Sequence, residues 1–263
     1  MLGNAVKEKL SAGGIVVGPM VMEFFTAGIA SIFAQTGVDY ILYDLEHTGY
    51  GYQALREVVS YNRGLAPVPL VRVPTNQYTY LARAVDAGAK GVMVPFVETA
   101  AQAKAVVDAV KYPPLGRRGA GFGIAHDDYA GGDPAAKMEQ ANRDTLVIVQ
   151  MESERTLAEI DAIAATPGVD VVFIGHFDLS NTMGLAGQVD HPRVQEASRR
   201  VIDACRRHNK AVGRMVMSED AARRALDEGY RFICYATDVL LIQQPLAQAV
   251  AAIRAHRPEG SGP

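Results

Sequence analysis

The sequence predicts a single (β/α)8 barrel spanning residues 1–263. Its length suits one large α/β barrel or two small domains, and a hydrophobic content of 49% is enough for one extensive core. Short apolar runs, many of them rich in β-branched residues, recur along the chain with helical stretches between them. These runs are continuously apolar, as expected of strands whose two faces are both covered by other elements.

Eight segments are predicted strands, and each is followed by room for a helix. The predicted strands cover residues 14–20, 39–43, 68–73, 91–95, 146–151, 169–174, 211–216 and 231–235. The segments between them have helical character, and residues 237–255 supply the eighth helix. Glycines such as Gly37 and Gly168 end a helix before the chain re-enters a parallel sheet. Eight such units in a chain of this length predict a closed barrel.

A doubly wound sheet is the alternative, and it would require a glycine-rich phosphate loop after the first strand. The first predicted strand instead runs into Val21-Met22-Glu23-Phe24-Phe25. The glycine cluster at Gly119–Gly123 follows no predicted strand, so it is weak support for a dinucleotide site.

A long loop is predicted at about residues 112–145, before the fifth strand. It contains Pro113-Pro114, the Gly119–Gly123 cluster and Gly131-Gly132. Connections of this length are uncommon in a compact domain unless they have a function. We therefore expect this segment to contribute to function or to contact another subunit.

Composition and charge exclude several classes of partner. A formal net charge of −3 argues against the clustered basic surface that a nucleic acid requires. The sequence contains no apolar run of the length expected for a membrane span, and its first residues lack the pattern of a signal peptide. The cysteines Cys205 and Cys234 match no zinc or redox motif. We expect a cytoplasmic protein with neither a nucleic-acid nor a membrane partner.

Reactive side chains are concentrated where the predicted strands end. The carboxyl ends of the strands of a barrel form one rim, and active sites lie at that rim. The residues found there are Asp44-Leu45-Glu46-His47, Arg72, Gln150-Met151-Glu152, Gly175-His176-Phe177-Asp178 and Thr237-Asp238. The opposite strand ends carry ordinary solvent-facing residues such as Asp39 and Lys90. This asymmetry predicts an active site at the carboxyl rim.

Glu152 and Asp178 are the candidate metal ligands. They end neighbouring predicted strands, and two carboxylates beside an amide oxygen suit Mg²⁺ or Mn²⁺. Each residue alone is equally well explained as a charge or a cap at the amino end of a helix. Their occurrence on adjacent strand ends favours the metal site.

His47 and Arg72 are candidates for proton transfer and charge stabilisation. A histidine beside acids is often structural, but its place on the rim favours a catalytic role. Arg72 lies in an apolar strand and needs an anionic partner, either Glu46 or an incoming carboxylate or enolate. None of the lysines falls at the carboxyl end of a predicted strand, which argues against an imine-forming mechanism.

Six motifs spread along the chain point to a known family. They are Asp44–His47, Val71–Pro74, Gly91–Pro95, Tyr112–Gly119, Gln150–Glu152 and Gly175–Ser180. In this order and spacing they resemble the HpcH/HpaI family of class II pyruvate aldolases, which includes 4-hydroxy-2-oxoheptanedioate and 2-keto-3-deoxy sugar-acid aldolases. The likeness runs from about residue 14 to 255 and implies a barrel of the phosphoenolpyruvate/pyruvate-binding type.

The resemblance implies which residues bind ligands. Glu152 and Asp178 would hold a divalent cation, either Mg²⁺, Mn²⁺ or Co²⁺. Gln150, the backbone at Phe177 and Asp178 would contact the 2-keto acid, pyruvate.

The resemblance also implies the catalytic residues and the reaction. Arg72 would stabilise the enolate, His47 would be the general base, and Asp86 would make His47 more basic. The enzyme would cleave or form 4-hydroxy-2-keto acids, with pyruvate and an aldehyde on the other side of the reaction and a metal-stabilised enolate between them. The assembly it implies is a homo-hexamer.

Departures from the family pattern leave the substrate open. The family often has Gly-Pro-Ala-Asp-Leu-Ser where this chain has His176 and Phe177 in place of proline and alanine. The alternative functions are an acyl-CoA lyase of the citrate-lyase β type and a non-catalytic barrel that binds keto acids. The intact set of acids, arginine and histidine favours the aldolase.

Overall fold

The sheet is a closed, all-parallel barrel, which confirms the predicted fold class. A computed structural model describes residues 3–256, so the two ends of the predicted 1–263 domain lie outside the described residues. The strands are β1 Val16–Val21, β2 Tyr40–Asp44, β3 Val68–Arg72, β4 Gly91–Val94, β5 Leu146–Met151, β6 Val171–Ile174, β7 Ala211–Val216 and β8 Phe232–Thr237. Each strand pairs with the next, and β8 pairs with β1.

Helices cover the outside of this barrel. They are α1 Ala5–Ser11, α2 Ile29–Ala34, α3 Tyr52–Tyr61, α4 Tyr78–Asp86, α5 Ala100–Val110, α6 Pro134–Asp144, α7 Ile160–Ala165, α8 His176–Thr182, α9 Pro192–Arg207, α10 Glu219–Glu228 and α11 Asp238–Ala255. Short 3-10 turns cover Ala125–Asp127 and Glu154–Ala158. None of the helices in residues 3–256 is both long and apolar enough to cross a membrane.

Two apolar clusters hold the barrel together. One fills its interior, where the rings of Tyr40 and Phe232 stack with centroids 4.4 Å apart. Val6 and Leu10 of α1 belong to this inner cluster and close the amino end of the barrel. The other cluster lies between the sheet and the helices. Because side chains of a strand alternate between these two layers, both faces are buried and the strands are continuously apolar.

The segment at 112–145 is not a structureless loop. Its second half forms α6, which begins with Asp133 as the N-cap and Pro134 in the first turn. None of the residues of α6 is fully buried, so the sequence lacks the apolar stripe that would predict this helix. The ammonium group of Lys111 donates hydrogen bonds to the carbonyl oxygens of Asn142 and Thr145, which fixes the segment against the barrel.

The final helix, α11, begins where the sequence predicted it but packs poorly. Asp238 is its only fully buried residue among those described, and Ile242, Leu246 and Ile253 are each more than half exposed. Val17, which points outward from β1, is also partly exposed. An apolar helix that covers so little of its own barrel leaves an unusually large exposed apolar surface.

Candidate active site

A buried ion pair lies at the carboxyl ends of β2 and β3. The two strands are in register, so that Asp44 lies opposite Arg72. The guanidinium donates from Nε to Asp44 Oδ1 and from Nη2 to Asp44 Oδ2, both at 2.8 Å. Asp44 is fully buried and Arg72 nearly so. The bidentate geometry fixes the plane of the guanidinium and leaves Nη1 for another partner.

Glu46 faces that remaining guanidinium nitrogen. Its Oε2 atom lies 3.2 Å from Arg72 Nη1 and 3.8 Å from His47 Nε2. Burial raises the pKa of Glu46, while Arg72 opposes this shift. The His47 side chain is 54% exposed and lies at the outer edge of the rim. The backbone N–H groups of Glu46 and His47 both donate to Asp44, which positions this turn.

Glu152 is a buried carboxylate with donors on both oxygens. Oε2 accepts the backbone N–H of Phe96 at 3.0 Å, and Oε1 accepts the Gln150 amide N–H at 2.5 Å. Burial raises the pKa of Glu152 to about 7, and the nearby carboxylates of Glu46 and Asp178 add to this increase. A carboxyl group with this pKa binds a proton readily near neutral pH, and a cation would compete for the same oxygens.

Gly175 makes room for the Glu152 carboxylate. A Cβ atom at this position would lie 2.6 Å from Glu152 Cγ and 2.7 Å from Glu152 Oε1. The backbone of Gly175 has a φ of −83°, so its conformation does not require glycine. The constraint is therefore the close approach of the carboxylate to the chain.

A cavity of about 460 Å³ opens at this rim. Arg72, Gln150, Phe177 and Asp178 are among its lining residues. Asp178 lies in the first turn of α8, directly after β6. Phe177 is 63% exposed, and its ring lies near Gly187, so it stands at the rim rather than in the core.

A larger cavity of about 570 Å³ lies at the amino end of the barrel. Its walls come mainly from residues 59–69 and from α1. None of the predicted site residues lines it, whereas Arg72, Gln150, Phe177 and Asp178 line the smaller cavity. The chemistry is therefore assigned to the carboxyl rim.

The structure does not bring Asp86 to His47. Asp86 is the last residue of α4, and the outer helices run antiparallel to the strands, so α4 ends at the amino side of the barrel. The Asp86 carboxylate pairs instead with Arg118, whose Nη2 lies 2.5 Å from Oδ1. Within one chain, the expected contact between Asp86 and His47 is thus replaced by an ion pair at the far end.

The donors present fit a hard divalent cation. Glu152 and Asp178 offer carboxylate oxygens, and Gln150 Oε1 is buried without a hydrogen-bond partner. Within residues 3–256 no group of three or more His, Cys, Asp or Glu side chains is placed to hold a metal ion. Mg²⁺ commonly binds through one or two carboxylates and takes its other oxygen ligands from water and substrate. The chemistry of this donor set suits that mode of binding.

Some contacts at the rim were not predicted from the sequence. The backbone N–H of Phe96 donates to Glu152, and Phe96 has a φ of 49°, a conformation that the sequence does not reveal. The Asp238 carboxylate, although correctly placed on the rim, accepts the backbone N–H groups of residues 22–24 and so holds the loop after β1. Arg214 lines the cavity as well, and its place in an apolar strand was the available signal.

Comparison with known proteins agrees with this geometry. The family model described as HpcH/HpaI aldolase/citrate lyase matches residues 22–245. The chain belongs to this family. The resemblance and the expectation of an aldolase are thereby confirmed at the level of the family. The chain is 33% identical over 265 residues to the 2-keto-3-deoxy-L-rhamnonate aldolase of Salmonella dublin, covering 97% of this chain and 94% of that protein.

Further relatives are similar over most of their length. The hydroxypyruvate/pyruvate aldolase of Roseobacter denitrificans is 33% identical, with 91% of this chain and 93% of that protein covered. The crystal structure of an HpcH/HpaI aldolase from Desulfitobacterium hafniense superposes with a TM-score of 0.90 at 33% identity, covering 98% of each chain. A citrate lyase β subunit from M. tuberculosis, at 17% identity, 87% and 93% coverage and a TM-score of 0.56, shares the fold alone.

Replacing Gly175 with alanine tests whether Glu152 is held in a geometry that matters. The new methyl group would push the carboxylate away from its donors, and we expect Gly175→Ala to weaken Mn²⁺ binding by about 10–100-fold, as is typical when the support of a ligand is lost. Gly131→Ala is the matched control, because a Cβ there meets nothing within 4 Å. Titration calorimetry measures both, and an unchanged affinity in Gly175→Ala would show that Glu152 is not a ligand.

Proposed function

We propose that this protein is a metal-dependent class II aldolase that cleaves or forms 4-hydroxy-2-keto acids, with pyruvate and an aldehyde as the other reactants. The observation that carries the proposal is the meeting of Arg72, Gln150, Glu152 and Asp178 at one end of the barrel. The names of the relatives, which include pyruvate and 2-keto-3-deoxy sugar-acid aldolases, support the same reaction. The lysines of residues 3–256 all lie away from the carboxyl ends of the strands, so imine chemistry has no candidate.

The acids define where a cation would bind. Glu152 and Asp178 would hold Mg²⁺, Mn²⁺ or Co²⁺, with the free oxygen of Gln150 and the backbone at Phe177 beside the bound keto acid. When bound, the cation would supply a Lewis acid that polarises the keto group of pyruvate. Asp178 serves both the cation and the substrate in this proposal.

Arg72 supplies a fixed positive charge next to the keto acid. Asp44 holds its guanidinium rigidly, so no reorganisation is needed when negative charge develops on the keto oxygen. Glu46 lies 3.2 Å from the remaining Nη1 nitrogen of Arg72 and so contacts the same guanidinium. Arg72 is therefore proposed to stabilise the enolate form of pyruvate.

His47 is proposed to move the proton of the substrate's 4-hydroxyl group. Its imidazole stands at the open edge of the rim, where the aldehyde half of the substrate would enter. Glu46 lies close enough to stabilise the imidazolium after proton transfer. The role of Asp86 in raising the basicity of His47 stays a prediction, and a single chain offers no contact through which it would act.

Exchange of the pyruvate methyl protons in deuterated water tests the proposed function. We expect exchange with added Mg²⁺ or Mn²⁺, none after chelation, and recovery when the metal is restored. An acyl-CoA lyase or a non-catalytic binding barrel would show no such exchange. Borohydride treatment in the presence of pyruvate should leave every lysine unmodified, and a stable adduct would overturn the mechanism.

Substitutions of Arg72 and of His47 should impair different reactions. Arg72→Ala should impair every reaction that passes through the enolate, including methyl-proton exchange and oxaloacetate decarboxylation. His47→Ala should slow aldol cleavage by about 10²–10⁴-fold, the range for loss of a general base, and should largely spare decarboxylation, which has no hydroxyl proton to remove. Both reactions are assayed for both variants at saturating metal. Equal losses in His47→Ala would assign His47 to structure or to enolate formation.

We also propose that the chain assembles as a homo-oligomer, with the hexamer that the family resemblance implies. The exposed apolar residues of α11, together with the exposed outward face of β1, support this proposal. A helix with Ile242, Leu246 and Ile253 in water would lose part of its hydrophobic stabilisation, and a second copy can cover it.

Light scattering of the full chain tests the assembly. We expect an oligomer at micromolar concentration, and Leu246→Glu should lower its mass because the charge would be buried at the contact. Arg254→Glu on the same helix is a control for charge alone. A fully active monomer would contradict the proposal.

A further inference from the structure

The active-site cavity extends beyond the residues that the proposed reaction uses. The same cavity that Arg72, Gln150 and Asp178 line continues to the start of α9 and to the inner side of α10. We call this extension the side arm and define it by Asp190, Gln195, Arg214, Ser218, Arg224 and Glu228. A cavity of about 460 Å³ lies within the range of sites for ligands far larger than a three-carbon acid. The part of the substrate beyond its pyruvate half would therefore lie in the side arm.

Arg214 is the cation deepest in the side arm. Met215 packs against the inner cluster and Val216 belongs to the outer one, so Arg214, two residues from Val216, points outward toward the helices. Its side chain is only 16% exposed, and its Nε atom is buried without a hydrogen-bond partner. Its Nη1 atom lies 3.5 Å from Glu228, whose side chain is 42% exposed. Such a loose pair leaves donors of the guanidinium free.

Apart from Glu228, Arg214 has the aromatic neighbour Tyr230, which in turn contacts His176. The guanidinium lies over the ring of Tyr230 at 5.1 Å, and the Tyr230 hydroxyl is 3.1 Å from His176 Nε2. His176 Nδ1 lies 3.0 Å from the carbonyl oxygen of Ile174, so the imidazole is held on both sides. His176 and Tyr230 therefore form a fixed wall of the side arm beside Arg214.

The positive and negative side chains of the side arm differ in how deeply they are buried. Arg214 is mostly buried, whereas its acid, Glu228, is largely screened by water. Arg224 has no acid partner within 4 Å among the residues that the structure describes, and Asp190 lies exposed at the far side. The deep end of the side arm is consequently positive, even though its formal charges balance.

We propose that the side arm binds an oxyanion at the far end of the substrate's aldehyde half, through Arg214 and with the help of Arg224. This inference rests on the proposed aldolase function and names the class of aldehyde that the site takes, one that ends in a carboxylate or a phosphate. The guanidinium of Arg214 has an unpartnered Nε and only a loose contact with Glu228, and a guanidinium is the group that recognises carboxylates and phosphates through paired N–H donors.

Matched pairs of aldehydes test this proposal in the aldol addition to pyruvate. Succinic semialdehyde is compared with butanal, and glyceraldehyde 3-phosphate with glyceraldehyde. The intact protein should have a lower KM for the anionic member of at least one pair, and the pair that discriminates identifies the oxyanion. Arg214→Met should reduce that preference by about tenfold or more, as expected when a charge-assisted hydrogen bond is lost, and Arg214→Lys should restore part of it.

Arg223→Met is the matched control, since Arg223 lies beside Arg224 on α10 but pairs with Glu219 and Asp220 at the surface. It should leave the preference unchanged. Equal changes for charged and neutral aldehydes in Arg214→Met, or no preference in the intact protein, would overturn the proposal. If Arg214→Met does not fold, Arg224→Gln carries the same comparison from an exposed helix position.

Calorimetry with succinate and with inorganic phosphate tests the oxyanion site independently of the aldolase activity. Binding of either anion that weakens in Arg214→Met or Arg224→Gln supports the side arm without requiring any reaction. Absence of methyl-proton exchange in the intact protein would remove the proposed aldolase function instead. No binding of either anion would contradict the side arm even if exchange is observed.

Discussion

The buried pair between Arg72 and Asp44 is the interaction on which the site depends. It joins β2 to β3 at the carboxyl rim and sets the plane of the guanidinium. The same carboxylate accepts the backbone N–H groups of Glu46 and His47, so one buried acid positions both the fixed cation and the turn beside it. Removing one partner of such a pair typically costs about 3–5 kcal/mol, because it leaves an uncompensated buried charge.

The rim is electrostatically unfavourable, and the barrel beneath it supplies the stability. Burial raises the pKa of both Glu46 and Glu152, and the nearby Arg72, which also pairs with Asp44, opposes this increase only in part. The inner and outer apolar clusters contain none of the charged side chains of the rim. A strong scaffold can hold carboxylates close together in this way, and a bound cation would relieve their repulsion.

The two halves of the cavity come from different layers of the barrel. Arg72 and Gln150 surround the end where the keto acid would bind. Arg214 points into the helix layer and forms the side arm with α10, while His176 fixes its wall. Because these layers alternate along a strand, residues of the second half can vary without disturbing the first.

The sequence by itself determined the barrel and most of the rim. Strands buried on both faces must be continuously apolar, and polar residues that end them, such as Arg72 and Glu152, must meet at one edge. Only the tertiary structure decided that Asp86 pairs with Arg118 at the opposite end, that α6 forms without an apolar stripe, and that α11 remains largely uncovered. Those outcomes depend on the direction of helices and on contacts between distant segments, which local patterns do not encode.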